Sequence, residues 1–216
     1  MHTVSPATQK LGFWSAVLAT TFSSAYIVFQ LAEWLGWLGS AGGAHSVSTP
    51  LGIFLLLTPS LLLGSAFLVM IVSVHHLAAP DRRVWSSAAI AFATVYVTMI
   101  SINYYVQLAW VGPRMMEGRT AGMEDFVFVP FDSFLYAVDI LGYSFMSVST
   151  LFAAPVFPPR SAPRVFLIAN GLLLPFIALQ MYWHSLIWIA ALWAVTFPAA
   201  TWAIAVVFRR AFPRPT

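Results

Sequence analysis

Cysteine is absent from the chain, which removes disulfides, thiolate metal sites and thiol nucleophiles and leaves the redox compartment unreadable. Charge is nearly as scarce: 8% of the 216 residues are Asp, Glu, Lys or Arg, where a soluble domain carries about a quarter. Lysine occurs only as Lys10, so no helix interior offers the amine that a retinal Schiff base needs. The net charge of +3 is no nucleic-acid footprint, because the arginines sit beside apolar runs rather than on one patch.

What is present is apolar sequence: 60% of residues are hydrophobic and the mean hydropathy is +0.84. It falls in blocks of about twenty residues or more, the length that spans a bilayer as a helix. The fold class is therefore an all-α polytopic transmembrane bundle, a single integral membrane domain over 1–216. Six spans are expected, at about 11–38, 51–77, 84–112, 133–157, 164–183 and 186–208, with ends good to about two to four residues. The first apolar run outlasts a signal-peptide core, so it is expected to be a retained helix.

Basic residues orient the bundle. With the N-terminus inside, Lys10, Arg82, Arg83, Arg160, Arg164, Arg209, Arg210 and Arg214 all lie on the inner side, and only Arg114 and Arg119 on the outer. The reading is N-in and C-in. The outer loop 113–132 carries an apolar piece, FVFVPF, read as an interfacial anchor leading into the fourth span, with a dip into the outer leaflet as the alternative.

Two acids fall well inside spans, Glu33 and Asp139. A carboxylate in a bilayer costs roughly 2.5–3.5 kcal/mol on insertion scales, so each should face other helices or a wet cavity. Asp139 belongs to a stripe, Asp132, Tyr136, Asp139, Tyr143, Ser147 and Thr150, stepping by three and four along one helical face. Similar stripes run through Ser23, Tyr26, Gln30, Glu33 and Trp37, through Tyr96, Asn103, Gln107 and Trp110, and through Asn170, Gln180 and His184. At a rise of about 1.5 Å per residue, Gln30, Glu33, Asn103, Gln107, Asp139 and Gln180 all lie roughly 6–13 Å below the outer boundary. Tyr26, Tyr104, Tyr105, Tyr136 and Tyr143 share the same outer third of the spans. The candidate pocket is thus Gln30, Glu33, Asn103, Gln107, Tyr136, Asp139, Tyr143 and Gln180, walled by Phe29, Trp34, Trp110, Phe134 and Tyr136. The plainer reading is an inter-helix hydrogen-bond network in which amides and phenols satisfy the two carboxyls.

Other polar residues lead less far. His75 and His76 point about 100° apart at an inner helix end, without the facing partner that haem ligation needs. His45, His184, Glu33 and Asp132 match no metal-ligand spacing, so no metal and no other cofactor is expected. Most of the nine tryptophans read as an interfacial belt. Pro59, Pro175 and Pro198 should interrupt their spans. The first two occupy matching places in two inverted three-helix halves, a transporter pattern, though the halves share no residue-level likeness.

The runs LTPSLLLGSAFLVMIVSVHHLAAPDRRVWS, SINYYVQLAWVGP, FLYAVDILGYSFMSVSTLFAAPVF and LIANGLLLP resemble a group of small bacterial multi-pass membrane proteins. The resemblance implies a bacterial cytoplasmic membrane and brings no catalytic residue with it, because that group has no assigned activity.

Function is read from the polar level alone. An extracytoplasmic-facing pocket for a small lipid-like or amphiphilic ligand, with membrane lipid as neighbour, fits it best. An acid-catalysing isomerase or cyclase using Asp139 and Glu33 is an alternative by chemical analogy. So is an accessory or transport subunit of a membrane complex, and self-association is compatible with each.

Overall fold

The computed structural model describes residues 5–43, 46–128 and 131–210, and all regular structure among them is helical. Six helices are long and apolar enough to cross a membrane: α1 (Pro6–Trp34), α2 (Pro50–His75), α3 (Pro80–Met116), α4 (Phe134–Val156), α5 (Ala162–Leu179) and α6 (His184–Arg210). The chain is a multi-pass membrane protein built as a six-helix bundle.

Short polar signals set the helix starts. Ser5, Thr49 and Ser133 each place a hydroxyl under the first turn, accepting from the amides of Thr8, Gly52 and Tyr136. Pro6 and Pro50 follow two of these caps, where a missing N–H costs nothing. α1 stops at Gly36, whose φ of +72° lets Gly36 N–H reach Glu33 O and Trp37 N–H reach Ala32 O.

Each helix packs on the next, and α1 closes on α6, so the six form a ring in chain order. The antiparallel run is visible in the contacts that staple it. Gln9 donates to the Phe208 carbonyl at 3.2 Å, Ser149 to the Ala89 carbonyl at 2.8 Å, and Tyr136 to Gln180 Oε1 at 3.0 Å. The loops after α1 and α3 therefore share one end of the bundle, called here the loop face. Residues Pro6 and Arg210 mark the opposite, terminal face.

Lipid offers helices no hydrophobic reason to associate, so close packing must hold the ring. At Gly171 an added Cβ would collide with Leu151 and come within 2.9 Å of the Ser147 carbonyl, which is how α4 and α5 approach so closely. Mid-bundle, five aromatic rings close a circuit: Phe67–Tyr96, Tyr96–Tyr143, Tyr143–Trp193, Trp193–Phe197 and Phe197–Phe67, with centroids 5.3–5.6 Å apart. Such pairs contribute about 0.5–1.5 kcal/mol each beyond burial. They bring α2, α3, α4 and α6 together into one floor.

The helix interruptions differ from those expected of the prolines. α2 runs unbroken through Pro59 and α6 unbroken through Pro198. α5 does break, between Gly171 and Leu174, just before Pro175. α6 breaks elsewhere, at residues 191–192, between a short piece Ile187–Ala190 and the long one Trp193–Arg210. With α2 continuous, the matched pair of broken helices that a transporter pattern requires is not formed. α3 carries a deviation of another kind, a π turn over Gln107–Val111 just ahead of Pro113, which has no N–H to continue the α-helical ladder.

Candidate functional site

The upper part of α6, Ile187–Ala190, packs on α5 rather than following the long lower piece along α1. Its neighbour on α1 is Trp34, whose indole meets Trp188 edge-on at 5.3 Å. The gap left between α1 and α6 widens into a cavity of about 440 Å³, within the usual range for small-molecule sites. Tyr143 and Trp193 of the aromatic circuit line its lower part. Leu31, Trp188 and Ala191, all exposed on the bundle's flank, line its rim.

Five of the eight expected pocket residues line this cavity: Gln30, Tyr136, Asp139, Tyr143 and Gln180. Asp139 is 4% exposed. It accepts from the Asn103 amide at 3.3 Å, and the next residue of α3, Tyr104, donates its hydroxyl to that of Tyr143 at 3.3 Å. Tyr26 donates to Gln30 Oε1 at 3.1 Å. Gln180 accepts from Tyr136 and returns its own amide to the Ile177 carbonyl at 3.0 Å. The helical stripe on α4 is buried from Tyr136 to Thr150, while Asp132 stays exposed ahead of the helix.

Asn103, Gln107 and Glu33 are not lining residues. Asn103 stands behind Asp139, dividing its amide between that carboxylate and the Leu135 carbonyl at 3.1 Å. Gln107, at the start of the π turn, donates to the Phe126 carbonyl and accepts from Phe128 N–H. It holds down the segment expected to be an interfacial anchor. Phe128 is 1% and Phe131 7% exposed, and their rings pack on Tyr136. Phe128 and Phe131 of FVFVPF therefore turn into the bundle, Phe126 stays exposed, and Phe131 becomes part of the cavity wall; Val129 and Pro130 lie outside the described residues.

Glu33 departs furthest from expectation. It is 1% exposed, turned between α1 and α2, and accepts from Ser48 at 2.7 Å. An added Cβ on Gly52 would lie 2.5 Å from Glu33 Oε2, so the carboxyl rests against the first turn of α2. Carboxylates are stabilised there by the free N–H groups and the helix dipole. The carboxyl's only hydrogen bond there is the one from Ser48: Oε2 finds no partner among the described residues, and Gly52 N–H is taken by Thr49.

The aromatic wall also differs. Trp34 and Tyr136 line the cavity, whereas Phe134 is 63% exposed and Trp110 packs on Phe126. Tyr105, expected at pocket level, is 65% exposed. Reading the sequence missed the α6 contribution, Ile187, Ala190, Trp193 and Ala194. One signal was available: Trp193 lies nine residues into α6, roughly 13 Å along the chain axis, too deep for an interfacial belt residue.

On metals, His184 and Asp132 are exposed and His45 lies outside the described residues; among the described residues no three His, Asp or Glu side chains gather. His75 meets Ser86 at 2.8 Å, near the terminal face. Below the aromatic floor, Asn170 donates to Thr150 and accepts from Thr196, a hydrogen-bonded seam joining α4, α5 and α6.

No family model matches the chain, and neither curated proteins nor solved structures show a match to it. The site must therefore be read from its own geometry.

Proposed function

We propose that this membrane protein binds a small lipid-like amphiphile that reaches its cavity sideways from the bilayer, between α1 and the upper part of α6. One observation carries this reading: an apolar cavity of about 440 Å³ opens on the bundle's flank and has Asp139, Gln30 and Gln180 in its wall. Apolar walls take a hydrocarbon body, and a few placed polar groups fix a head. The aromatic floor beneath favours binding over transport, because five packed rings separate the cavity from the terminal face. The distribution of basic residues supports putting the loop face, and so the cavity, on the extracytoplasmic side of a cytoplasmic membrane, and the resemblance to bacterial proteins supports a bacterial one.

Native mass spectrometry with identification of the retained species tests this. The wild-type protein is expected to carry one apolar species selectively. Ala194→Phe, which fills the cavity from α6, is expected to lose it while keeping its melting temperature. An unselective spread of phospholipids, unchanged by Ala194→Phe, would refute the reading.

A second reading has its own support in Asp139, a buried carboxyl in the cavity wall beside the lining phenol Tyr143. Under it, the protein isomerises or cyclises its ligand by acid catalysis. Two isomers would then be recovered from the wild type and one from Asp139→Asn; identical species from both would exclude it.

A further inference from the structure

Among the described residues that line the cavity, Asp139 alone has a carboxyl, and none is a lysine or arginine. Half of that carboxyl is unanswered. Oδ1 accepts from the Asn103 amide at 3.3 Å. Oδ2 has no hydrogen bond among the described residues, and it is not one of the enclosed polar atoms either. It keeps accessible surface in a residue that is 4% exposed and borders the cavity.

The donors around it are directed elsewhere. Tyr26 gives its hydroxyl to Gln30, Tyr136 gives its own to Gln180, and Gln180 gives its amide to the Ile177 carbonyl. The ion pairs among the described residues, Arg82–Asp81 and Arg119–Glu117, leave Asp139 out. A carboxyl oxygen held inside a bundle without a donor is costly, and a ligand that brings one removes the cost.

Resting on the binding reading above, we propose that the ligand's polar end is a hydrogen-bond donor, the hydroxyl or amine end of an apolar chain, received by the free carboxyl oxygen of Asp139. An acceptor-only head, a ketone, ether or ester, would set its lone pairs against those of the carboxylate. A carboxylate or phosphate would add a second negative charge to a wall without a cation. Ile27, Leu31, Ile140, Ile177 and Ala194 give the hydrocarbon body its contacts.

Four probes with the same chain length test this: tridecane, 2-tridecanone, 1-tridecanol and tridecylamine. Each is added to the purified full chain in nanodiscs, and retained probe is counted by mass spectrometry against empty nanodiscs, which corrects for partition into lipid. A hydrogen bond to a carboxylate predicts that the alcohol, the amine or both bind about tenfold more tightly than the hydrocarbon and the ketone. An advantage shared by both identifies a plain donor head, and one confined to the amine a cationic head. Asp139→Asn keeps the shape and an oxygen for Asn103 but puts an amide donor where Oδ2 stood, so the preference should pass to the ketone. Should that variant fail to fold, the wild-type series decides alone. Equal binding of all four would overturn the donor assignment and leave the groove reading standing. A wild-type preference for the ketone would overturn it too, and would make the carboxyl itself the donor. A preference for alcohol or amine unchanged in Asp139→Asn would overturn Asp139 as the anchor. Binding of none would remove the groove reading and this assignment with it.

Discussion

Glu33 and Asp139 sit near the same end of one bundle, both almost fully buried and both on apolar helices, yet they serve different regions. At the α1–α2 junction, Glu33 is pressed between Ser48 and Gly52 and rests on the start of α2. In the α1–α4–α6 region, Asp139 is backed by Asn103 and has the cavity on its other side. The expense of burying a carboxyl is similar in the two places. What differs is the surroundings, a packed helix start in one case and an unfilled groove in the other. An intramembrane acid therefore signals a buried polar partner, and only its surroundings make it a site.

Several experiments can break or sharpen this contrast. The largest effect is all-or-none and concerns which side both regions face. With no native cysteine, Thr120→Cys should react with a membrane-impermeant maleimide in intact cells and Asp81→Cys only after permeabilisation. The reverse pattern would move both acids to the cytoplasmic half.

Next comes the packed junction. Gly52→Val places a Cβ 2.5 Å from Glu33 Oε2 and 3.0 Å from Ser48 Oγ. Overpacking of this kind costs about 1–3 kcal/mol, so a marked fall in melting temperature and yield of monodisperse protein is expected. A normal melting temperature would mean that the junction is looser than the geometry indicates.

The smallest effect compares the acids directly. Glu33→Ala removes the Ser48 bond and the charge on the α2 start, worth together about 1–2 kcal/mol, without altering ligand retention. Asp139→Ala leaves Asn103 its bond to the Leu135 carbonyl and should cost under about 1 kcal/mol while lowering retention of the bound species. Thermal unfolding in detergent beside native mass spectrometry reads both quantities. An exchange of the two phenotypes would invert the assignment.

Much of the α4 side of the site was legible. Tyr136, Asp139, Tyr143, Ser147 and Thr150 recur at helical spacing, and all five are buried together. Gln30 and Gln180 were placed by helical stripe and depth together, and they do reach the cavity. The same two criteria failed for Glu33, Asn103 and Gln107, because they fix a level and a face of one helix without fixing which neighbour that face meets. Gln107 shows the difficulty well. Its amide is turned to the 126–128 backbone, and nothing in the span itself tells that a loop will arrive there.

The sequence by itself determined six spans, their approximate ends and the level of the polar groups. These follow from local quantities: hydropathy over about twenty residues, capping residues at helix starts, and the rise of a helix. Only the folded chain decided that α6 breaks at residues 191–192 and leans to α5, that Phe128 and Phe131 turn inward, and that one acid is packed against a helix start while the other borders a groove. Those outcomes depend on which side chains meet across helices far apart in the chain. In lipid that choice is made by close packing and hydrogen-bond pairing rather than by burial of apolar surface, and neither leaves a periodic mark on a single helix.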